Sequence, residues 1–328
     1  MTVVPAVSAA CVHRRAWLRS GPHTGIAIAT VALFALCAVL VPQSLTAQSI
    51  GAMLPAWGVL AIMAAGQTLV IQQRGIDLSV PGTVSLVAMG FTVFVDRNDV
   101  PVLVGIVVVL AVGAAVGLLN GLVTTRVHVT PLITTLAVNA LLIGAMFSYT
   151  RGVGTAAPVS LQSATASSPL GVSAIAWIAV LAVLVVAGIA GRTVIGRRFV
   201  AVGANPAAAR AMGLRADRYV VGAYVAAGIL FAFAAVLLVG YNQNPSPTLG
   251  NPYLFQTVMA VVIGGTSVAG GRGSVIASAV AALFLTQLGQ VVLTLGAGPA
   301  MQLLVQAAAM AVALAGAAFL ERKGGTGA

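Results

Sequence analysis

Ten apolar runs separated by short polar gaps constrain this chain more than any other feature. They lie near 26–41, 50–71, 80–95, 100–125, 129–149, 171–190, 219–240, 253–270, 274–296 and 299–320, with no Asp, Glu, Lys, Arg or His in their interiors. A helix crosses the hydrocarbon core in about 20 residues. In lipid its backbone must satisfy its own hydrogen bonds. The runs therefore predict an all-α, polytopic membrane protein of about ten transmembrane helices. The first, third and eighth are short and could be tilted, broken or re-entrant. Charged residues make up 6% of the chain, too few to cover a soluble fold, which carries roughly 25%.

The formal net charge is +11, and where the cations fall is informative. With ten spans and an inner N-terminus, 14 of the 16 Lys and Arg lie on the cytoplasmic side. External loops keep only Arg97 and Arg151. That asymmetry is the positive-inside pattern. It predicts a cytoplasmic tail over 1–24, one membrane domain over 25–321, a long cytoplasmic loop at 191–218 and a cytoplasmic tail over 322–328. Arg14, Arg15 and Arg19 before the first run resemble a signal peptide, but the many later spans favour an uncleaved helix. Cys11 and Cys37 sit in the basic tail and the first run, which disfavours a disulfide. No aromatic residues interleave with the cations, so nucleic acid is not an expected partner.

Three polar segments break the apolar pattern. The loop segment from Asn205 to Gly213 reads as a short capped helix, with Asn205 as N-cap, Pro206 in the first turn, alanines including Ala209 in the body, and Gly213 as the left-handed stop. Such a short helix needs packing to be ordered. The turn Gln72 to Gly82 carries Gly75, Asp77 and Ser79; Asp77 can pair with Arg74, and Ser79 can cap the third span. The stretch Gly264 to Ser274 holds Gly264, Gly265, Thr266, Gly270, Gly271, Arg272 and Gly273. At membrane depth such backbone must be buried in protein or line a water-filled path. It lacks the lysine and spacing of a P-loop. The chain's only lysine is Lys323, so no Walker A motif exists. Thr130 should open the fifth span as N-cap with Pro131 in the first turn, and Pro55 should kink the second.

These segments carry a specific resemblance. Gly75-Ile76-Asp77-Leu78-Ser79, Asn120-Gly121 with Thr130-Pro131-Leu132-Ile133-Thr134-Thr135-Leu136, Ala201 to Leu214, and Gly264 to Ser274 occur in this order. The ordered set resembles the ribose-type branch of bacterial ABC importer permeases, which also serves xylose, other monosaccharides and autoinducer-2. The resemblance covers roughly residues 50–320. Arg74 and Pro81 stand where that family usually has glycine.

The resemblance implies an ABC importer permease-like bundle in the bacterial cytoplasmic (inner) membrane, carrying a small neutral sugar. It implies a second permease subunit, cytoplasmic ABC ATPase subunits that hydrolyse ATP, and an extracytoplasmic sugar-binding protein. No cofactor or metal is expected on this chain. The 201–214 stretch matches the segment that docks on the ATPase. Arg197, Arg198, Gly203, Asn205, Pro206, Ala209, Arg210 and Gly213 then form a coupling loop.

The residues themselves fit a conduit rather than an enzyme. Proton-coupled carriers place acids or histidines in the membrane. Here His13, His23 and His128 all lie outside the runs. Candidate pathway-lining groups are Gln67, Thr68, Asn139, Gln256, Thr257, Gln287 and Gln290, joined by Gln302 and Gln306. For any single one of them interhelical glue, worth about 0.6 kcal/mol on average, is the favoured reading, while some of the set should face the pathway. Two other readings stay open: an energy-independent facilitator for small neutral solutes, and an ABC permease for autoinducer-2, a nucleoside or a branched-chain amino acid.

Overall fold

The computed structural model describes residues 22–325. The basic tail with Cys11, His13, Arg14, Arg15 and Arg19, and the last three residues of the C-terminal tail, lie outside them. Among the described residues the chain is helical throughout, with no strand.

Thirteen α-helices follow one another: α1 (Pro22–Leu40), α2 (Ala47–Gln72), α3 (Val80–Asn98), α4 (Val102–Leu122), α5 (Pro131–Thr150), α6 (Val159–Ala166), α7 (Ala174–Arg192), α8 (Val194–Ala204), α9 (Pro206–Ala211), α10 (Ala216–Asn242), α11 (Tyr253–Ile263), α12 (Val275–Thr294) and α13 (Pro299–Gly325). Each of the ten apolar runs holds one helix. Six are long and apolar enough to cross a membrane: α2, α4 with its following turn, α5, α7, α10 and α12. In α1, α11 and α13 the apolar stretches are shorter: Thr24–Leu40, Tyr253–Ile263 and Ala300–Val312. The eighth run was expected to reach residue 270, but its helix stops at Ile263 because Gly265, Gly270 and Gly271 turn the chain with positive φ.

α2 is the axis of the bundle. Its most apolar window is 83% buried, and it packs against α7, α10, α11 and α12. The helix continues through Pro55. α10 lies between α2 and α4, burying Tyr224 and Phe231 among Met63, Val70 and Phe91. The α4–α10 contact is unusually close. Gly113, Gly117 and Gly121 recur every fourth residue on α4, opposite Gly228, Tyr224 and Val221. A Cβ on Gly117 would stand 2.1 Å from the Tyr224 carbonyl oxygen. Lipid gives no hydrophobic drive between helices, so close backbone packing of this kind is a principal source of association.

α4, α5 and α7 instead present apolar side chains outward, among them Leu103, Val107, Leu118, Leu132, Ile133, Leu141, Leu181 and Leu184. A continuous apolar exterior suits lipid or another apolar chain rather than water.

The connections gather at two ends. One holds the turn 73–79, the segment 123–130, α8 and α9, and the loop 264–274. The other holds 99–101, α6 with its flanks, 243–245 and 295–298. Beyond Pro245 the chain re-enters the bundle, where Gly250 packs on Pro81 and donates its N–H to Ser85 Oγ at 3.1 Å. Arg74, Arg126, Arg192, Arg197, Arg198, Arg210, Arg215, Arg218 and Arg272 lie at the first end; Arg97 and Arg151 lie at the second.

Candidate functional site

The polar segments singled out from the sequence meet at the arginine-rich end. α2 ends at Gln72, and Arg74 takes a left-handed conformation with φ +65°. Gln72 C=O accepts from Gly271 N–H at 2.9 Å. The Gln73 side chain donates to Phe199 C=O at 2.8 Å. Arg74 donates from Nε to Gly203 C=O at 2.9 Å and from Nη2 to Ala204 C=O. Thus the end of α2, the end of α8 and the glycine loop share one set of backbone hydrogen bonds.

Glycine is required where these backbones touch. A Cβ on Gly203 would lie 2.1 Å from Gln72 C=O. A Cβ on Gly271 would lie 2.4 Å from Ala204 Cα. Gly270 abuts the Arg74 stem, and Gly273 abuts Thr266. Gly264 packs on Ser278 of α12, and Arg272 C=O closes the loop by accepting from Ser267 N–H at 2.9 Å. Thr266 is buried, and its hydroxyl has no protein partner.

The Asp77 turn is a second polar centre. Asp77 is 1% exposed. Its Oδ1 accepts from Ser79 N–H at 2.8 Å and from Ser79 Oγ at 2.6 Å. Asn120 of α4 donates to Ser79 Oγ at 2.9 Å and reaches the second Asp77 oxygen only at 3.5 Å. Burial holds the Asp77 carboxyl above the ordinary carboxylate range, against the opposing pull of the Ser79 and Asn120 bonds.

This corrects three expectations. Arg74 does not pair with Asp77, because the left-handed residue turns its guanidinium toward α8. Ser79 stands at the N-cap of α3 but makes no capping bond, because its hydroxyl goes to Asp77. Thr130 likewise precedes α5 without a side-chain cap; Pro131 alone opens that helix.

α5 holds the same turn from the other side. Leu78 N–H donates to Thr135 Oγ1 at 3.0 Å, and Gly82 N–H to Asn139 Oδ1 at 2.7 Å. Gly75 meets the Tyr224 hydroxyl, where a Cβ would stand at 2.4 Å.

α9 has the predicted form. Asn205 Oδ1 accepts from Ala207 N–H at 3.1 Å and Ala208 N–H at 3.0 Å. Gly213 stops the helix with φ +80°, and Leu214 N–H returns to Ala209 C=O at 3.0 Å. Ala209 is fully buried against Val202 and Ala216, while Arg210 and Met212 face outward. The predicted 191–218 loop also contains α8, which sequence reasoning missed. Thr193 caps it by accepting from Gly196 N–H at 3.0 Å, and Arg197 and Arg198 are exposed. The signal was a threonine before an apolar, amphipathic stretch.

The polar groups within the helices divide. Thr68 donates to Ser278 Oγ at 2.8 Å, and Asn139 is taken by Gly82. Thr257 bonds within its own helix. Gln256 donates to Gln306, which donates to Leu285 C=O, and Gln287 donates to Ser44. Gln302 packs against Gly289, and Gln290 is half-buried. Gln67 differs: it is fully buried on α2, and neither amide atom has a protein partner. Among the described residues no His, Cys, Asp and Glu cluster could hold a metal.

A family model described as branched-chain amino acid transport system, permease component, matches residues 49–314. The ribose import permease protein RbsC of Escherichia coli (strain K12) is 32% identical over 92% of this chain and 94% of its own length. The galactose/methyl galactoside import permease protein MglC of the same strain is 30% identical over 68% of this chain and 69% of its own. The autoinducer 2 import system permease protein LsrC of Enterobacter sp. (strain 638) is 34% identical over 80% of this chain and 76% of its own. No solved structure matches the chain.

Proposed function

The chain belongs to the family of branched-chain amino acid transport system permease components, and from that premise we propose that it is the membrane subunit of an ATP-driven importer for a small neutral sugar or a sugar-like solute. The family model is named for amino acids, whereas the relatives named above import ribose, galactosides and autoinducer-2. The sugar reading follows those relatives. Neutral amide and hydroxyl groups within apolar helices suit an uncharged polyol.

The observation that carries the reading is the knot at the arginine-rich end, where Arg74, Gly203 and Gly271 bind the end of α2 to α8. α2 is the buried axis of the bundle, so force applied to α8 and α9 reaches the bundle centre through backbone contacts. In this reading α8 and α9 dock on a cytoplasmic ATPase, which hydrolyses ATP. Arg197, Arg198, Gly203, Asn205, Pro206, Ala209, Arg210 and Gly213 are the coupling residues. A second permease subunit completes the pathway, and an extracytoplasmic binding protein delivers the solute.

The nine arginines at one end against two at the other support a cytoplasmic placement of that end. Ten spans, with α1, α3, α11 and α13 tilted or supported by neighbours, then leave both termini inside. Gln67 is the strongest pathway candidate, because a buried amide without partners needs water or solute. For Thr68, Asn139, Gln256, Gln287 and Gln306 the observed hydrogen bonds favour interhelical glue.

The test is co-purification from detergent followed by an ATPase assay, comparing wild type with the Asn205→Asp, Arg210→Glu double variant. An ATPase subunit should accompany the wild type and be lost or uncoupled in the variant. Absence of any associated ATPase, with sugar equilibrating through the chain alone in liposomes, would establish a facilitator instead.

A further inference from the structure

Beside α9 and at the start of α10 is an open cavity of about 510 Å³. It shares Arg210 and Gly213 with the coupling loop, but its other basic residues, Arg126, Arg215 and Arg218, have no part in the coupling reading. Four arginines line it: Arg126 from the turn after α4, Arg210 from α9, and Arg215 and Arg218 around the first turn of α10. One carboxylate, Asp217, shares the wall. The Arg210–Asp217 pair spans 3.8 Å, and both side chains are about 60% exposed. An exposed pair this long holds its partners weakly. It leaves the cavity with a net charge of about +3 at neutral pH.

Like charges gathered from three elements repel unless an anion joins them. A guanidinium offers a planar fork of donors that fits phosphate oxygens. The cavity's surroundings narrow the source of that phosphate. α4 exposes Leu118, Leu119 and Leu122 on the way to Arg126, and Val127 is 64% exposed just beyond. Acyl chains can lie on that apolar face while their headgroup enters the basic cavity.

We propose that this cavity binds the phosphate headgroup of an anionic phospholipid, whose tails run along the outer face of α4. The proposal rests on the functional reading only in setting this end at a membrane surface. The lipid would neutralise the arginines that join α4, α9 and α10. It would make the position of α9 sensitive to lipid composition.

The test uses the full chain purified in detergent, without an ATPase, so that its outcome is independent of coupling. Retention of phosphatidylglycerol, phosphatidylcholine with the same tails, or inorganic phosphate is measured by native mass spectrometry and by the shift in melting temperature. Phosphatidylglycerol should be retained and raise the melting temperature, and phosphatidylcholine should not. The Arg126→Gln, Arg218→Gln variant should bind phosphatidylglycerol about thirtyfold more weakly, since each basic residue near a charged surface contributes about 1 kcal/mol. Arg97→Gln, Arg151→Gln at the opposite end should bind like wild type. Arg126→Lys, Arg218→Lys, which keeps the charge and loses the fork, should bind more weakly than wild type and more tightly than the glutamine pair. Equal retention of both lipids would overturn the proposal. So would protection by inorganic phosphate alone to the same degree, or a lysine pair that loses as much as the glutamine pair.

Discussion

Asp77 shows how a single residue can tie a turn into a membrane bundle. Its carboxyl is buried, accepts from Ser79 twice, and has no basic partner within bonding distance among the described residues. Desolvation raises its pKa above the ordinary 3.8. The sign follows from linkage: the folded state holds the proton more tightly than the unfolded state. The stability tied to Asp77 is therefore fully present below its ordinary value and falls as pH rises through the raised one. Asp77→Asn should keep the Ser79 N–H bond and remove that pH dependence. Its melting temperature in detergent should equal or exceed wild type at pH 8, with a smaller gain at pH 5. Asp77→Ala strips the Ser79 N–H of its partner and should cost about 1–3 kcal/mol. A wild-type melting temperature that rises from pH 5 to pH 8, with Asp77→Asn less stable throughout, would mean a charged Asp77 with an unseen counter-ion. The Asp77–Arg74 pair looked reasonable in sequence because they are three residues apart. It fails because direction is set by the left-handed φ of Arg74, which local spacing does not reveal.

At the scale of elements, the legible parts were those with local rules. Asn205, Pro206 and Gly213 write a complete helix start and stop, and α9 forms between them as expected. α8 was hidden because Gly191, Arg192, Gly196, Arg197 and Arg198 make the stretch read as a polar loop, although Thr193 caps a helix there. The glycines of α4 look merely apolar in sequence; their role appears only with α10 in place. Gly117→Val should push the helices apart and cost about 1–3 kcal/mol by overpacking. Gly144→Ala, where a Cβ meets nothing within 4 Å, should be neutral or mildly stabilising, by up to about 1 kcal/mol. Thermal unfolding of the two variants in one detergent checks this, and equal losses would remove the close-packing account. Gly203→Ala tests the coupling knot more sharply. Its Cβ would strike Gln72 C=O, so the variant should assemble with its ATPase yet lose most solute-stimulated ATP hydrolysis. Normal stimulation in that variant would show that the α2–α8 contact does not transmit force.

The whole molecule was legible in class and obscure in detail. Charge-free apolar runs dictate a helical membrane bundle, because lipid admits no unpaired backbone. Helices stand where the runs lie, yet only six have the length and apolarity of a full span. Span counting by hydropathy reads composition, whereas α3 and α11 derive much of their setting from neighbours such as α5 and α12. The meeting of the Asp77 turn, α8 and the glycine loop depends on contacts between residues up to about 200 positions apart, such as Gln72 with Gly271. No local pattern encodes such a contact; the ordered motifs hinted at a shared role without giving a shared place. The central claim is that this bundle moves solute only when driven at its arginine-rich end. The most direct test is uptake of labelled ribose or galactose into proteoliposomes holding the chain, with and without its ATPase and binding protein. Accumulation above the external concentration that requires both partners and ATP is the predicted result. Equilibration through the chain alone, unchanged by ATP, would contradict it.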